Sequence, residues 1–218
     1  KKKKTATREK TPTGKFFIST TVELPDVKIK QKPISKVNAV GIDTGIKTFA
    51  TLSDGIEIEN PKHLKNNIQR LKVLQKRASK KQKGSANRKK ANLKVARLHE
   101  KIANQRLDFL HKTTTAIAKQ YDTVACENLN ISGMLRNHKL AQSIADLGLG
   151  KFYTLLQYKI AEQGGNYLEI GRFEPSSKMC GCGVINKELK LSDRTWTCKS
   201  CGSINDRDIL AANNMFPL

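Results

Sequence analysis

Apolar and polar positions alternate at the start of the chain in a way typical of short strands. Phe, Ile, Thr and Val are concentrated in residues 14–25, a predicted strand that Pro25 closes. The lysine-containing segment 26–36 suits a linker. From Val37 the runs "VNAVGID", "IKTFATLSDG" and "IEIEN" predict a three-stranded antiparallel meander with an Asp-Gly turn.

Helical spacing replaces alternation after residue 60. Pro61 precedes apolar positions spaced as on one helix face, and the polar run "KKQKGSANRKK" interrupts that pattern. A second apolar face follows, so residues 61–112 are predicted to form a helical hairpin. The two faces consist of Leu64, Ile68, Leu71, Leu74 and Ala78, and of Val95, Leu98, Ile102 and Phe109.

Helices and strands alternate in the remainder. "TTTAIAKQ" predicts a helix and "YDTVACENLNIS" a strand that runs into a loop. "ADLGLGKFYTLLQYKIAEQGG" predicts a helix that stops at Gly164, and "NYLEIGRFEP" the next strand. With "NDRDILAANNM" as a short closing helix, the order of elements indicates an α/β core with insertions.

Charge narrows the class of partner. The 218 residues include 41 Lys and Arg against 19 Asp and Glu, a formal charge of +22. No run approaches the roughly 18 apolar residues of a membrane-spanning helix, and the start contains no recognisable signal peptide. A polyanion is therefore expected, and nucleic acid before a membrane. Because "KKKKTATREK" lacks a methionine, we expect a portion of a longer protein.

The predicted hairpin carries most of the excess charge. Between Lys62 and Lys101 there are fifteen Lys or Arg residues, and Glu100 is the only acid. An ordinary solvated helix face would mix both signs to gain i,i+4 pairs. Contact with phosphate therefore explains the stretch better than solvation alone. The candidate contact residues are Lys72, Lys76, Arg77, Lys80, Lys81, Arg88, Lys89 and Lys90.

Four of the five cysteines lie within the last forty residues. Cys180, Cys182, Cys198 and Cys201 are grouped as two close pairs, which favours a metal site over a disulfide framework. Cys126, in the apolar run "TVAC", is interpreted as a small buried hydrophobe.

Three acids stand where hard cations are usually bound. Asp43 ends an apolar strand, with Gly41 two residues before it and Gly45 two residues after it, although a turn-capping Asp has the same surroundings. Glu127 ends the run "TVAC", although a surface Glu at a strand end is equally ordinary. Asp206 suits the N-cap of the closing helix, which leaves Asp208 free in its first turn.

These stretches resemble a known family when they are taken in order. "GIDTGIKTFATLSDG", "CENLNISGML", "EPSSKMCGCG", "WTCKSCG" and "NDRDILAANNM" resemble the three split RuvC motifs and the zinc ribbon of the TnpB (OrfB) family of insertion sequences. The similarity extends from about Val37 to Met215 and includes the basic hairpin.

The resemblance implies an α/β, RNase H-like (RuvC) mixed sheet with a basic helical hairpin insertion and an inserted zinc ribbon. It implies an RNA-guided DNA endonuclease of the bacterial or archaeal cytoplasm, with guide RNA and target DNA as partners and no membrane. By motif, Asp43, Glu127 and Asp208 would hold two Mg²⁺ ions. The four paired cysteines would hold one structural Zn²⁺.

The same resemblance implies a division of the chain. Residues 1–36 would end a preceding wedge or oligonucleotide-binding-like domain and form a linker. RuvC parts I, II and III would be 37–60, 113–175 and 206–218, the basic hairpin would be 61–112, and the zinc ribbon 176–205.

Two positions depart from the family pattern. Cys180 and Cys182 are separated by one residue where the family usually has two. This shortens the first knuckle, the tight turn between the two cysteines of a pair. Leu210 stands where the family commonly has Asn, and we expect this replacement to lower activity without removing a ligand.

Two other functions share these motifs. A guide-dependent DNA-binding regulator with weak or no cleavage would be expected to lose catalytic acids, whereas all three are present here. A guide-free resolvase would use the same acids but would retain no discrete RNA.

Overall fold

Nine strands and six helices form within residues 3–23, 25, 28–34, 38–171, 177–190 and 193–215, which are the residues that this computed structural model describes. Parts of the predicted linker (26, 27, 35 and 36) and of the predicted strand 166–175 (172–175) lie outside them. The strands are β1 Lys3–Lys10, β2 Phe16–Val22, β3 Ala39–Thr44, β4 Thr48–Leu52, β5 Glu57–Glu59, β6 Thr123–Glu127, β7 Asn166–Ile170, β8 Thr195–Thr197 and β9 Ile204–Asp206. The helices are α1 His63–Ser79, α2 Ala86–Gln120, α3 Ile131–Met134, α4 Ala141–Leu147, α5 Leu149–Glu162 and α6 Arg207–Asn213.

A mixed five-stranded sheet of order β5-β4-β3-β6-β7 is the centre of the larger of two units. β3, β4 and β5 are antiparallel neighbours, which confirms the predicted meander. β6 and β7 join β3 in parallel, as strands connected through helices do. The predicted α/β class with a mixed sheet is therefore confirmed.

One face of this sheet is covered by α5. Phe152 of α5 is fully buried and meets Phe49 of β4 edge to face, with ring centroids 5.1 Å apart. The single helix predicted before Gly164 is instead two helices, α4 and α5. The reason is Gly148, which adopts a left-handed φ of 68° and ends one helix where the next begins.

The smaller unit contains Lys1–Lys28 and His63–Phe109. In it, the predicted strand near residues 14–25 pairs as β2 with β1, a strand that the charged opening sequence did not predict. Helices α1 and α2 pack through Leu71, Leu98 and Ile102, three of the predicted apolar positions. α2 is one helix of 35 residues that includes "TTTAIAKQ", which the sequence pattern had separated.

The C-terminal region is a short hairpin followed by a helix. β8 and β9 pair antiparallel, and Asp206 ends β9 and caps α6. Its side chain accepts hydrogen bonds from the backbone N–H groups of Asp208 and Ile209, which confirms the predicted cap. α6 packs on β3 and β4. No helix within the described ranges is both long enough and apolar enough to span a membrane.

Candidate functional site

Asp43 and Glu127 lie side by side at the carboxyl ends of two parallel strands. β3 pairs with β6 so that Ile42 is opposite Cys126, and the two acids are the next residue on each strand. The apolar residues before them are buried, whereas the acids are half-buried. The sheet therefore brings together two side chains that are 84 positions apart in sequence.

Asp208 reaches the same edge because α6 lies very close to β3. A Cβ placed on Gly41 would be 1.8 Å from the backbone oxygen of Ala212, so only glycine permits this approach. Gly41 and Asp43 are two residues apart on β3 and point to the same face. The first turn of α6 consequently faces Asp43.

Charge repulsion links the three acids. Burial, followed by the nearby charges of Asp208 and Glu127, raises the pKa of Asp43 to about 7. Burial also raises the pKa of Glu127. Such a group of carboxylates is stabilised by a bound cation, which replaces repulsion by attraction.

Two arginines that the sequence analysis had not singled out contact the third acid. Arg194 Nη1 donates to Asp208 Oδ2 at 2.8 Å, and Arg207 Nη2 donates to Asp208 Oδ1 at 3.0 Å. Both carboxylate oxygens of Asp208 are thus hydrogen-bonded. The spacing of apolar residues does not predict these contacts, because both arginines are polar and Arg194 lies 14 positions before Asp208 in the sequence.

The paired cysteines converge tightly. The Sγ atoms of the four cysteines lie within 4.8 Å of one another, which among the described residues singles them out as a group able to hold one metal ion. The Cys180–Cys201 and Cys182–Cys198 sulfur distances are 3.6 and 3.7 Å. Four thiolates at about 2.3 Å from a tetrahedral Zn²⁺ would be about 3.8 Å apart, so the geometry fits that ion.

Glycines close both knuckles. The N–H of Gly183 donates to the carbonyl of Cys180, and that of Gly202 to the carbonyl of Cys198. Both glycines have positive φ, 85° and 73°, which allows these tight turns. The shortened first pair therefore closes a turn as the regular second pair does.

Leu210 belongs to the cysteine region rather than to the acids. Its side chain is buried in a cluster with Cys180, Cys198 and Trp196. Asn214 Nδ2 also donates to the carbonyl of Met179 at 2.6 Å. α6 therefore links the cysteine ribbon to the sheet, a packing role that the sequence analysis did not assign to Leu210.

The candidate phosphate-contact residues lie at the α1–α2 turn and beside it. All are exposed except Arg88, which is half-buried and donates to the carbonyl of Lys81. Glu100, the one acid of the stretch, is paired with Lys15 at 3.1 Å. Among residues placed by the structure, no carboxylate pairs with the seven exposed members: Lys72, Lys76, Arg77, Lys80, Lys81, Lys89 and Lys90.

A mixed sheet with acids at its carboxyl edge and a four-cysteine ribbon beside it is the arrangement that the TnpB (OrfB) resemblance implies. The chain belongs to the OrfB family of IS605-type elements, whose model, described as "Probable transposase", matches residues 18–138. A second model, described as a Cas12f1-like TNB domain, matches residues 150–215.

Named relatives agree with this membership. A Streptomyces pristinaespiralis protein named as a candidate RNA-guided DNA endonuclease is 43% identical over 97% of this chain and 52% of its own length. The similarly named InsQ of Escherichia coli K12 is 33% identical over 93% of this chain and 53% of its own length. The chain thus spans about half the length of these relatives.

Solved structures share the fold. A chain from a cryo-EM structure of a CRISPR-Cas12f ternary complex matches 96% of this chain and 44% of its own length, with a TM-score of 0.60 and 20% identity. A chain from a Cas12f1–sgRNA–target DNA complex matches 92% of this chain and 42% of its own length, with a TM-score of 0.62 and 19% identity.

Proposed function

We propose that this chain carries the nuclease site of an RNA-guided DNA endonuclease with an RNase H-like (RuvC) sheet. The observation that carries the proposal is the burial of Asp43 among Glu127 and Asp208 in a chain of formal charge +22. A half-buried acid that is repelled by two others destabilises the fold unless a cation offsets the repulsion. The names of the relatives support the same activity.

Asp43, Glu127 and Asp208 are the residues that would hold two Mg²⁺ ions. Carboxylate oxygens are the ligands that Mg²⁺ prefers, and a half-buried Asp43 that Glu127 and Asp208 repel fits that need. Bound Mg²⁺ would supply charge stabilisation to the attacking and leaving oxygens of a phosphodiester. Arg194 and Arg207 pair with Asp208, and guanidinium groups of this kind can also bind phosphate through two hydrogen bonds.

The four cysteines would hold one Zn²⁺ whose role is structural. Four thiolates fill a tetrahedral site and leave no position for substrate. Their contact with Leu210 would then fix α6 and, through it, Asp208. The divisions at 1–36, 37–60, 61–112, 113–175, 176–205 and 206–218 are part of this proposal.

Guide RNA and target DNA would be held by the exposed cations of the α1–α2 turn. Seven of these side chains face solvent, so each is open to a phosphate. Replacing Lys80, Lys81, Lys89 and Lys90 by Gln should make nucleic-acid binding less sensitive to salt. The falling slope of log affinity against log salt concentration should become shallower by about 0.7–0.9 per lost phosphate contact. An unchanged slope would remove this surface from the proposal.

The nuclease assignment is tested with Asp43→Asn in protein purified together with its RNA, which is identified by sequencing. We expect cleavage of a matched DNA target to fall by roughly a thousandfold, since several kcal/mol of charge stabilisation are lost. RNA retention should stay at the wild-type level. Glu57→Gln, an exposed acid on β5 of the same sheet, is the matched control.

Cleavage by Asp43→Asn at the wild-type rate would contradict the assignment. Purified wild-type protein that cuts without any discrete RNA would instead favour a guide-free resolvase.

A further inference from the structure

A hydroxyl pair connects the proposed nuclease site to the helix that covers the sheet. The Thr44 Oγ1 and Tyr153 Oη atoms are 2.8 Å apart, which is the distance of a good hydroxyl hydrogen bond. Thr44 is the last residue of β3 and directly follows Asp43. Tyr153 is in α5, beyond the helix break at Gly148.

Thr44 also contacts the acid. Its backbone N–H donates a hydrogen bond to the Asp43 carboxylate, which favours the charged form of that group. Thr44 is therefore held by Tyr153 through its side chain and bound to Asp43 through its backbone. A change in the position of Thr44 would move the donor that orients the carboxylate.

Tyr153 lies on a well-packed part of α5. Phe152, its neighbour, is fully buried against Phe49, and the Phe152 and Tyr153 rings contact each other with centroids 5.4 Å apart. Thr44 in turn pairs with Ala50 of β4. Hydroxyl groups held on a packed helix and a paired strand can fix a neighbouring ligand more accurately than groups on a loop can.

We propose that Tyr153 is a positioning residue: through Thr44 it holds the Asp43 carboxylate in the orientation that binds divalent cations. The inference rests on the proposed function, since it assumes that Asp43 is a cation ligand. Groups that orient metal ligands in this way set the affinity of the site for its ion. A Phe at 153 would keep the ring packing and remove only the hydroxyl group.

The test is binding of Mn²⁺, a spectroscopic substitute for Mg²⁺, to the purified protein, followed by electron paramagnetic resonance at constant Zn²⁺ content. Tyr153→Phe and Thr44→Val each remove one hydroxyl group, and we expect each to weaken Mn²⁺ binding by about three- to tenfold. The double variant should be no weaker than the weaker single variant, since both lose the same bond. Thr44→Ser keeps the hydroxyl and should bind nearly as wild type does.

Tyr158→Phe is the matched control, because Tyr158 is on the same helix and its side chain is 40% exposed.

DNA cleavage provides a second measurement. The Mg²⁺ concentration for half-maximal cleavage should rise in Tyr153→Phe by the same factor as the loss of Mn²⁺ affinity, while the rate at saturating Mg²⁺ recovers. If Tyr153 only packs, Tyr153→Phe should leave both the Mn²⁺ affinity and the Mg²⁺ concentration for half-maximal cleavage unchanged. Melting temperatures measured for every variant establish that each is folded.

Wild-type Mn²⁺ affinity in folded Tyr153→Phe would overturn the inference, as would additive losses in the double variant. Asp43→Asn separates this failure from that of the proposed function. If Asp43→Asn loses Mn²⁺ binding and Tyr153→Phe does not, only the positioning role fails. If Asp43→Asn binds Mn²⁺ as wild type does, the metal-ligand role of Asp43 fails, and with it the positioning inference.

Discussion

The two candidate metal sites are built in opposite ways. The four cysteines come from two short turns of one ribbon, and their sulfur atoms already lie within 4.8 Å of one another. The three acids come from β3, β6 and α6, and Glu127 and Asp208 come near Asp43 only because the sheet and the α6 contact bring these elements together. One site is made by local turns and the other by the whole fold.

The two sites also differ in the groups that surround their potential metal ligands. The sulfur atoms are supported nearby, since the Ser203 hydroxyl lies 3.2 Å from both Cys180 Sγ and Cys201 Sγ. At the acids, Glu127 and Asp208 instead repel the charge on Asp43, and Asp208 is held by two guanidinium groups. Loss of the metal ion from the cysteines should therefore unfold the cysteine ribbon. Loss of a cation from the acids should instead change the free energy of unfolding and the cleavage activity but keep the fold.

Cys198→Ser should have the largest effect. Metal content should fall from about one Zn²⁺ per chain to near zero, because structural zinc sites are built from Cys and His and a neutral Ser hydroxyl does not replace a thiolate ligand. DNA cleavage should fall as well, since Leu210 of α6 packs against Cys180 and Cys198. Elemental analysis and cleavage assays measure the two effects.

Cys126→Ala is the control for this variant, because Cys126 is buried outside the cluster. Its metal content should equal that of the wild type. Retention of Zn²⁺ by Cys198→Ser would mean that the cysteines do not form one site.

Gly41→Ala should damage the acid site and spare the ribbon. The added Cβ would overlap Ala212, so α6 must move, which we expect to cost about 2–3 kcal/mol of unfolding free energy. Zn²⁺ content should stay constant while cleavage falls. Chemical denaturation measures the first effect, and Gly150→Ala is the control because its Cβ would meet only Ile131 Cδ1 at 3.7 Å. Equal stability of both variants would contradict the close α6 contact.

The pH dependence of stability should show the smallest effect. The pKa of Asp43 rises from 3.8 in the unfolded chain to about 7 in the folded protein, so the folded state binds the proton more tightly. Without divalent ions, Asp43 should therefore contribute stability below pH 3.8 that is lost as the pH rises to about 7, by roughly 1–3 kcal/mol. Denaturation of wild type and Asp43→Asn at several pH values isolates this contribution.

At pH 7 and above, added Mg²⁺ should restore the stability that the wild type loses between pH 3.8 and about 7. Wild-type and Asp43→Asn profiles that run parallel from pH 4 to pH 7 would contradict the raised pKa of Asp43, which results first from burial and then from the charges of Asp208 and Glu127.

The two sites also differ in how far the sequence predicts them. The spacing of the cysteines predicts their site, because turns of three or four residues bring the pairs together. The meander and the Asp206 cap are predicted for the same reason, since their signals are local. The position of β6 beside β3 has no local signal, so Asp43 and Glu127 become neighbours only when the strand order is known.

The local sequence pattern does not predict side-chain roles that depend on tertiary packing. Tyr153 looks like one more position on a helix, and its contact with Thr44 spans 109 residues. Leu210 looked like a departure near the acids, whereas it packs with the cysteine cluster. The break at Gly148 was missed because the apolar pattern continues through it, although only its left-handed conformation ends α4.

Asp43, Glu127 and Asp208 are proposed to bind divalent cations together. Anomalous diffraction at the manganese edge, from crystals soaked in Mn²⁺, would show these ions. We expect two manganese peaks about 4 Å apart, each about 2.0–2.6 Å from oxygens of these carboxylates, and a separate zinc peak among the cysteines. A protein that is folded and retains its zinc peak, yet shows no manganese at the three acids, would contradict a cation site at Asp43, Glu127 and Asp208.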